Sequence, residues 1–160
     1  MILSLSILAE FVQKMLDKFP QAIFEADDDF GWIPLHYAAH VGHVDVMRIL
    51  IGKCPYTCEL LDNKCRTALH LAVESGNRIA VEILLKELAF QDLINEQDED
   101  GNTPLHLAAI NGLYPILMTL ADDKRVDKWA FNKEGKNIAD IIQLDNQFTV
   151  SEKVSLANCV

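Results

Sequence analysis

One short segment recurs along this chain at an almost fixed distance, and that period constrains the fold more than any single residue does. Three copies read Ile33-Pro34-Leu35-His36-Tyr37-Ala38-Ala39, Thr67-Ala68-Leu69-His70-Leu71-Ala72-Val73 and Thr103-Pro104-Leu105-His106-Leu107-Ala108-Ala109. A decayed fourth reads Asn137-Ile138-Ala139-Asp140-Ile141-Ile142. Their second residues stand at 34, 68, 104 and 138, so the spacings are 34, 36 and 34 residues. A period of this size marks a quasi-one-dimensional stack, in which each unit buries its apolar face on its neighbours.

The chemistry inside one period predicts its local structure. In Asp98-Glu99-Asp100-Gly101-Asn102-Thr103-Pro104 the Asp and Gly residues favour a tight turn. Thr103 suits an N-cap, and Pro104 suits the first helical position because its missing N–H is no loss there. Ala108 and Ala109 allow close helix approach, Gly112 ends the short helix, and a second helix begins near Tyr114. Asp28 to Gly42 and Asp62 to Gly76 are the equivalent pieces, followed by second helices at Val44 to Ile51 and Arg78 to Leu88. In the latter, Ile79, Ile83 and Leu84 fall at helical spacing with Glu82 and Lys86 on a more polar face.

A turn and two antiparallel helices carrying Thr-Pro-Leu-His at this period resembles the ankyrin repeat. The fold class expected is therefore all-α: an ankyrin-repeat solenoid of paired antiparallel helices with short β-turn or hairpin loops. The expected units are a partial repeat at 1–27, repeats at 28–61, 62–97 and 98–131, and a degenerate closing repeat or cap at 132–160. Met1 to Phe19 lacks the signature segment but carries Phe11, Val12, Met15 and Leu16, which fits the back half of a repeat or an unusual cap. An apolar flank there is expected to fray or to self-associate. At the other end, Ile138 to Leu144 and Phe148 to Ala157 fit two further helices.

The phrasing between repeats carries a narrower likeness. Asp17-Lys18-Phe19-Pro20-Gln21-Ala22-Ile23, Gly31-Trp32-Ile33-Pro34-Leu35-His36, Ile94-Asn95-Glu96-Gln97-Asp98-Glu99-Asp100-Gly101-Asn102 and Asn132-Lys133-Glu134-Gly135 resemble the plant ankyrin membrane proteins of the accelerated-cell-death type. That resemblance implies cytoplasmic repeats ahead of a Pro-Gly-Gly motif and transmembrane helices, with roles in defence and stress signalling. It implies a place in the cytoplasm, at the inner face of the plasma membrane if the likeness extends that far. Within these 160 residues there is neither a Pro-Gly-Gly nor an apolar run long enough to span a bilayer.

Charge and cysteine content exclude several classes. A formal net charge of −10, with no cluster of Lys and Arg, disfavours nucleic acid as partner because phosphate would be repelled. The acidic residues gather before the repeat starts, at Glu25, Asp27, Asp28 and Asp29 and at Glu96, Asp98, Glu99 and Asp100. Ile2 to Ala9 is too short for a membrane span and lacks the basic start of a secretory leader. The four cysteines, Cys54, Cys58, Cys65 and Cys159, form no evident disulfide framework, so reduced thiols in the cytosol are expected.

Several short motifs imitate chemistry without its context. Asp29-Phe30-Gly31 matches a kinase triplet, yet no glycine-rich loop, strand lysine or catalytic loop accompanies it. The run from Glu96 to Gly101 starts like a calcium-binding loop, but its twelfth place is Leu107 where a bidentate Glu is required. Cys54, Cys58, Cys65 and His70 lack the paired spacing of a zinc site. No nucleophile, base and orienting group are arranged together, so neither an enzyme nor a cofactor is expected.

Function is therefore expected in what the surface holds. The ankyrin resemblance gives His36, His70 and His106 a structural task, with Thr67 and Thr103 as capping partners and Ile33 leaving one such bond missing at His36. It also implies a protein partner on the turn tips and the exposed side of the first helices. The residues so selected are Asp29, Phe30, Trp32, His40, Asn63, Lys64, Arg66, Glu74, Glu99, Asp100, Asn102, Ile110, Asn111, Lys133 and Lys136. Phe30, Trp32 and Arg66 are the expected anchors, since aromatic and arginine side chains dominate interface hot spots.

Overall fold

The computed structural model describes residues 2–87, 91–144 and 149–157. In chain order the helices are α1 (Ile2–Lys18), α2 (Pro34–Val41), α3 (Val44–Lys53), α4 (Ala68–Glu74), α5 (Arg78–Glu87), α6 (Gln91–Ile94), α7 (Pro104–Ile110), α8 (Tyr114–Ala121), α9 (Ile138–Leu144) and α10 (Val150–Ala157). Among the described residues there is no strand, and the chain is an all-α solenoid. The first helices α2, α4, α7 and α9 pack in one layer, and α1, α3, α5, α8 and α10 form the other. Phe148 and Leu88, assigned to helices on sequence grounds, lie outside the described residues.

The core repeats with the sequence period. Leu35, Leu69 and Leu105 are buried at one phase, Met47, Val81 and Leu117 at a second, and Leu50, Leu84 and Leu120 at a third. Each such side chain contributes about 2 to 3 kcal/mol by leaving water. Ala39, Val73 and Ala109 are also fully enclosed, which is why larger residues do not appear where first helices meet. The stack thus has one continuous apolar interior, running from Leu16 to Ile142.

Two details depart from the sequence expectation, one on α5 and one in the links between repeats. Ile79 is 65% exposed, and the buried stripe of α5 runs instead through Ala80, Val81, Ile83, Leu84 and Leu85. Phe11 is 63% exposed on α1, while Leu16 is buried and Val12 and Met15 rest on the core. The links after the second helices also hold single 3-10 turns at Pro20–Phe24 and Pro55–Glu59, with α6 at the same phase. In both 3-10 turns Pro occupies the first turn, where it needs no donor.

The turn glycines are held by close approach as well as by their dihedrals. Gly101 has φ 77°, and a Cβ there would lie 2.8 Å from the backbone N of Lys133. Cys65 stands at the same phase with φ 58°, the one non-glycine residue with positive φ among those described. A left-handed residue with a side chain costs about 1 to 2 kcal/mol, partly offset by the entropy that Gly would lose. Cys65→Gly is therefore predicted to leave the thermal midpoint unchanged or raise it, whereas Gly101→Ala lowers stability by about 2 kcal/mol. Urea unfolding of the two variants checks the contrast; a marked loss in Cys65→Gly contradicts it.

Candidate functional site

The exposed turns are built on a single acceptor. Asp62 Oδ1 accepts the N–H groups of Lys64 and Arg66, Asp98 Oδ1 those of Asp100 and Asn102, and Asn132 Oδ1 those of Glu134 and Lys136. Each turn closes with a backbone bond such as Asp98 N–H to Asn102 O at 3.0 Å. Successive turns are then tied by Asn63 N–H to Phe30 O, Glu99 N–H to Lys64 O and Lys133 N–H to Asp100 O, at 2.9 to 3.0 Å. The tips consequently form an evenly spaced row.

The buried histidines fix that row to the helices. Thr67 N–H donates to His70 Nδ1 at 3.2 Å, and the Thr67 hydroxyl lies 2.9 Å from the same nitrogen. On the far side of the ring, Nε2 lies 3.2 Å from the carbonyl oxygen of Asn102 in the next repeat. A carbonyl only accepts, so Nε2 carries the proton and Nδ1 receives. His106 repeats the arrangement with Thr103 and Lys136 O. His36 receives the N–H of Ile33 and reaches Leu60 O, but Ile33 offers no hydroxyl. Burial pushes all three imidazoles below their ordinary pKa, His70 to about 4.

The first turn is longer than the others by one residue. Its acceptor is Asp27 rather than Asp28, and it receives the N–H groups of Phe30 and Trp32. Those backbone bonds, led by Phe30 N–H, hold the Asp27 carboxyl below the usual range, with help from the Tyr37 hydroxyl at 2.8 Å. Phe30 stands at the tip of this turn, where it is 53% exposed. Its ring centroid lies 5.3 Å from that of Trp32, which is also 5.0 Å from Tyr37 and 5.1 Å from His40. His40 Nδ1 is buried with no hydrogen-bond partner.

Arg66 departs most from its expected role. It is 9% exposed, with its guanidinium 2.8 Å from Asp62 Oδ2 and 2.6 Å from Glu74 Oε2. It also lies 5.8 Å from the Trp32 ring, and Trp32 Nε1–H donates to Asp62 at 3.0 Å. Burial opposes charge on Asp62, but the Arg66 side chain and the turn N–H groups outweigh it and keep the carboxyl below its ordinary value. Arg66 is thus a clamp inside the face rather than an anchor offered to a partner. Removing it would strand Asp62, so loss of a partner in an Arg66 variant would not separate contact from folding.

Asn102 is likewise buried, where its Oδ1 accepts from Asn132 Nδ2 at 2.9 Å. Asp29, Asn63, Lys64, Glu74, Glu99, Asp100, Ile110, Asn111 and Lys133 are exposed, and Trp32, His40 and Lys136 are half-buried. Lys64 meets Glu99 at 3.8 Å and Lys136 meets Glu134 at 2.7 Å, both in solvent. An open depression of about 600 Å³ lies between the last two turns, lined by Asp100, Ile110, Lys133 and Lys136 among others. The face therefore runs from an aromatic and acidic end, across the Arg66 clamp, to Ile110. Cys58 is buried, which pushes its thiol up to about 11, and among the described residues no His, Cys, Asp and Glu cluster is arranged to hold a metal ion.

Comparison with known proteins settles the family. The profile of ankyrin repeats in three copies matches residues 3–93 and 56–132. The chain belongs to the ankyrin-repeat family. Among curated relatives, the target of rapamycin complex 2 subunit AVO2 of Saccharomyces cerevisiae is 30% identical over 125 residues, covering 78% of this chain and 29% of that protein. Ankyrin repeat domain-containing protein 53 is 38% identical over 90 residues in Mus musculus and 34% over 87 in Homo sapiens, each covering 54% of this chain. The chain spans 18% and 16% of those two proteins. Among the described residues no helix is long and apolar enough to cross a membrane.

The ankyrin histidines make stability depend on pH. Burial favours their neutral form when folded and they take up protons once unfolded, so their contribution is complete above about pH 6.5 and declines as the pH falls, in the case of His70 towards about 4. Between pH 7 and 5 the unfolding free energy is predicted to fall as the pH is lowered, with His70 alone approaching about 1.4 kcal/mol per pH unit, the value for one proton, at the acid end of that range. His70→Gln should reduce the uptake by about one proton. Denaturant titrations across this range report the slope; a flat profile contradicts the neutral, buried assignment.

Proposed function

We propose that this chain is a noncatalytic protein-binding module whose partner lies along the turn tips and the first helices. The observation that carries this reading is a contrast between positions of equal phase. The enclosed positions repeat one chemistry, as Leu35, Leu69 and Leu105 do. The outward ones do not: Phe30 becomes Lys64, Asp100 and Glu134, and His40 becomes Glu74 and Ile110. A constant scaffold with a variable face suits recognition of one particular surface, and the ankyrin relatives supply the precedent of a complex subunit in the yeast protein's name.

A role in plant defence or stress signalling is supported by the inter-repeat phrasing alone, and the relatives above do not carry it. A regulatory module of a multi-pass membrane protein, facing the cytoplasm, fits a chain that spans 29% or less of its curated relatives and whose Cys54, Cys58 and Cys65 are unpaired. Reading the coding sequence past Val160 for a Pro-Gly-Gly and apolar spans decides that point.

The binding test uses a partner captured on the folded chain. Phe30→Ala and Ile110→Ala are predicted to weaken it by about 1 to 3 kcal/mol with unchanged circular dichroism, while Arg48→Ala or Lys86→Ala on the second-helix layer costs less than about 0.5 kcal/mol. Equal losses at both sets would move the interface to the opposite side. Self-association is a second proposed activity, because Ile7 and Phe11 expose apolar surface along α1. Sedimentation is expected to show a concentration-dependent dimer that Phe11→Glu abolishes; a monomer at all concentrations rules it out.

A further inference from the structure

The aromatic end of the binding face carries a charge pattern that the rest of the face lacks. Phe30, Trp32 and Tyr37 cluster with ring centroids 5.0 to 5.3 Å apart around Trp32, and both Phe30 and Tyr37 present much of their surface to solvent. The lengthened turn sets Asp28 and Asp29 beside them, both exposed, and among the described residues no Lys or Arg forms an ion pair with either. The nearest cation, Arg66, is already neutralised by Asp62 at 2.8 Å and Glu74 at 2.6 Å. The later turns differ: Lys64 and Lys136 meet carboxylates, and Lys133 lies among them.

An aromatic surface with surplus negative charge selects cations. Aromatic rings attract a guanidinium or ammonium through their negative faces, and unpaired carboxylates at the rim add attraction and orientation. An uncharged apolar ligand would satisfy the rings but leave both aspartates unanswered. A phosphate or a carboxylate would be repelled by them.

We propose that the first turn and α2 hold an arginine or lysine side chain from an extended, basic segment of the partner protein. The cation lies on Phe30 and Tyr37 and is flanked by Asp28 and Asp29. The neighbouring residues of the segment run along the first helices towards Ile110. This deepens the protein-binding reading and rests on it, naming the chemistry of the bound segment and the end of the face that grips it.

The residues at equal phases of the turns explain why this site exists at the first turn. In the shorter turns the position of Phe30 is filled by Lys64, Asp100 and Glu134, and the position of Trp32 by Arg66, Asn102 and Lys136. None of those offers an aromatic ring, so the stack has one cation site rather than a repeating series of them.

Panning a random 12-residue peptide library on the full chain tests the proposal, with affinities of the selected peptides read by titration in about 0.05 M and 0.3 M salt. Selected peptides should be enriched in Arg and Lys, and replacing their basic residue by citrulline or Gln should weaken binding about tenfold or more. Phe30→Ala and the double variant Asp28→Asn/Asp29→Asn should each lose about fivefold or more, the second with a smaller salt dependence, while Ile79→Ala keeps full affinity. Enrichment of acidic or neutral peptides, no selection at all, or basic peptides indifferent to these variants would overturn it. If the captured partner still depends on Ile110 under any of those results, the protein-binding reading stands and only the cation assignment fails.

Discussion

The hydrogen bond from His70 Nε2 to the carbonyl of Asn102, repeated from His106 to Lys136, joins the first helix of one repeat to the turn of the next. Such a bond requires an uncharged ring with its proton on Nε2, because Nδ1 faces the donors of the preceding Thr. Burial supplies that condition by disfavouring the charged form. The same ring thereby satisfies a helix cap and a loop carbonyl that would otherwise be buried without partners, each at a cost of about 1 to 3 kcal/mol. The apolar layers drive the stack together, and the imidazoles fix how each turn sits on it.

A row of turns held in this manner is a rigid support for side chains that do no folding work. That separation lets the exposed chemistry change from repeat to repeat while the Leu and Ala positions stay constant. It breaks down at the Asp62, Arg66 and Glu74 clamp, where charged groups of the face are also part of its interior. The clamp holds Trp32 from below through Asp62, and Trp32 in turn positions Phe30 and Tyr37. The proposed grip of the first turn would thus rest on the Asp62–Arg66 ion pair beneath Trp32.

The helix starts at Pro34, Ala68, Pro104 and Ile138 were legible in the sequence because caps, Pro and Gly act locally. The left-handed Cys65 was legible for the same reason, from its phase with Gly31, Gly101 and Gly135. Ile79 was misread because a helix rich in apolar residues offers more than one plausible buried stripe, and only the neighbouring layer selects among them. The short 3-10 turns carry too few residues to show a period, although Pro20 and Pro55 mark their starts. Burial of Arg66 had one visible signal, an Asp four residues earlier at the turn's acceptor position. Its second partner, Glu74, stands at the far end of α4 and is brought in only once that helix has formed. The one-residue lengthening at Asp27 was hidden by three consecutive aspartates, any of which could serve as acceptor.

The link between repeats turns on the tautomer of the buried histidines, and nitrogen-15 NMR of the imidazole rings reads it directly. At neutral pH, His36, His70 and His106 should each show a protonated Nε2 and an acceptor Nδ1, with the Nε2 proton of His70 protected from solvent exchange and retained on lowering the pH to about 5. A proton on Nδ1, or rings that titrate together near pH 6.5 while the chain stays folded, would contradict the proposed link between repeats.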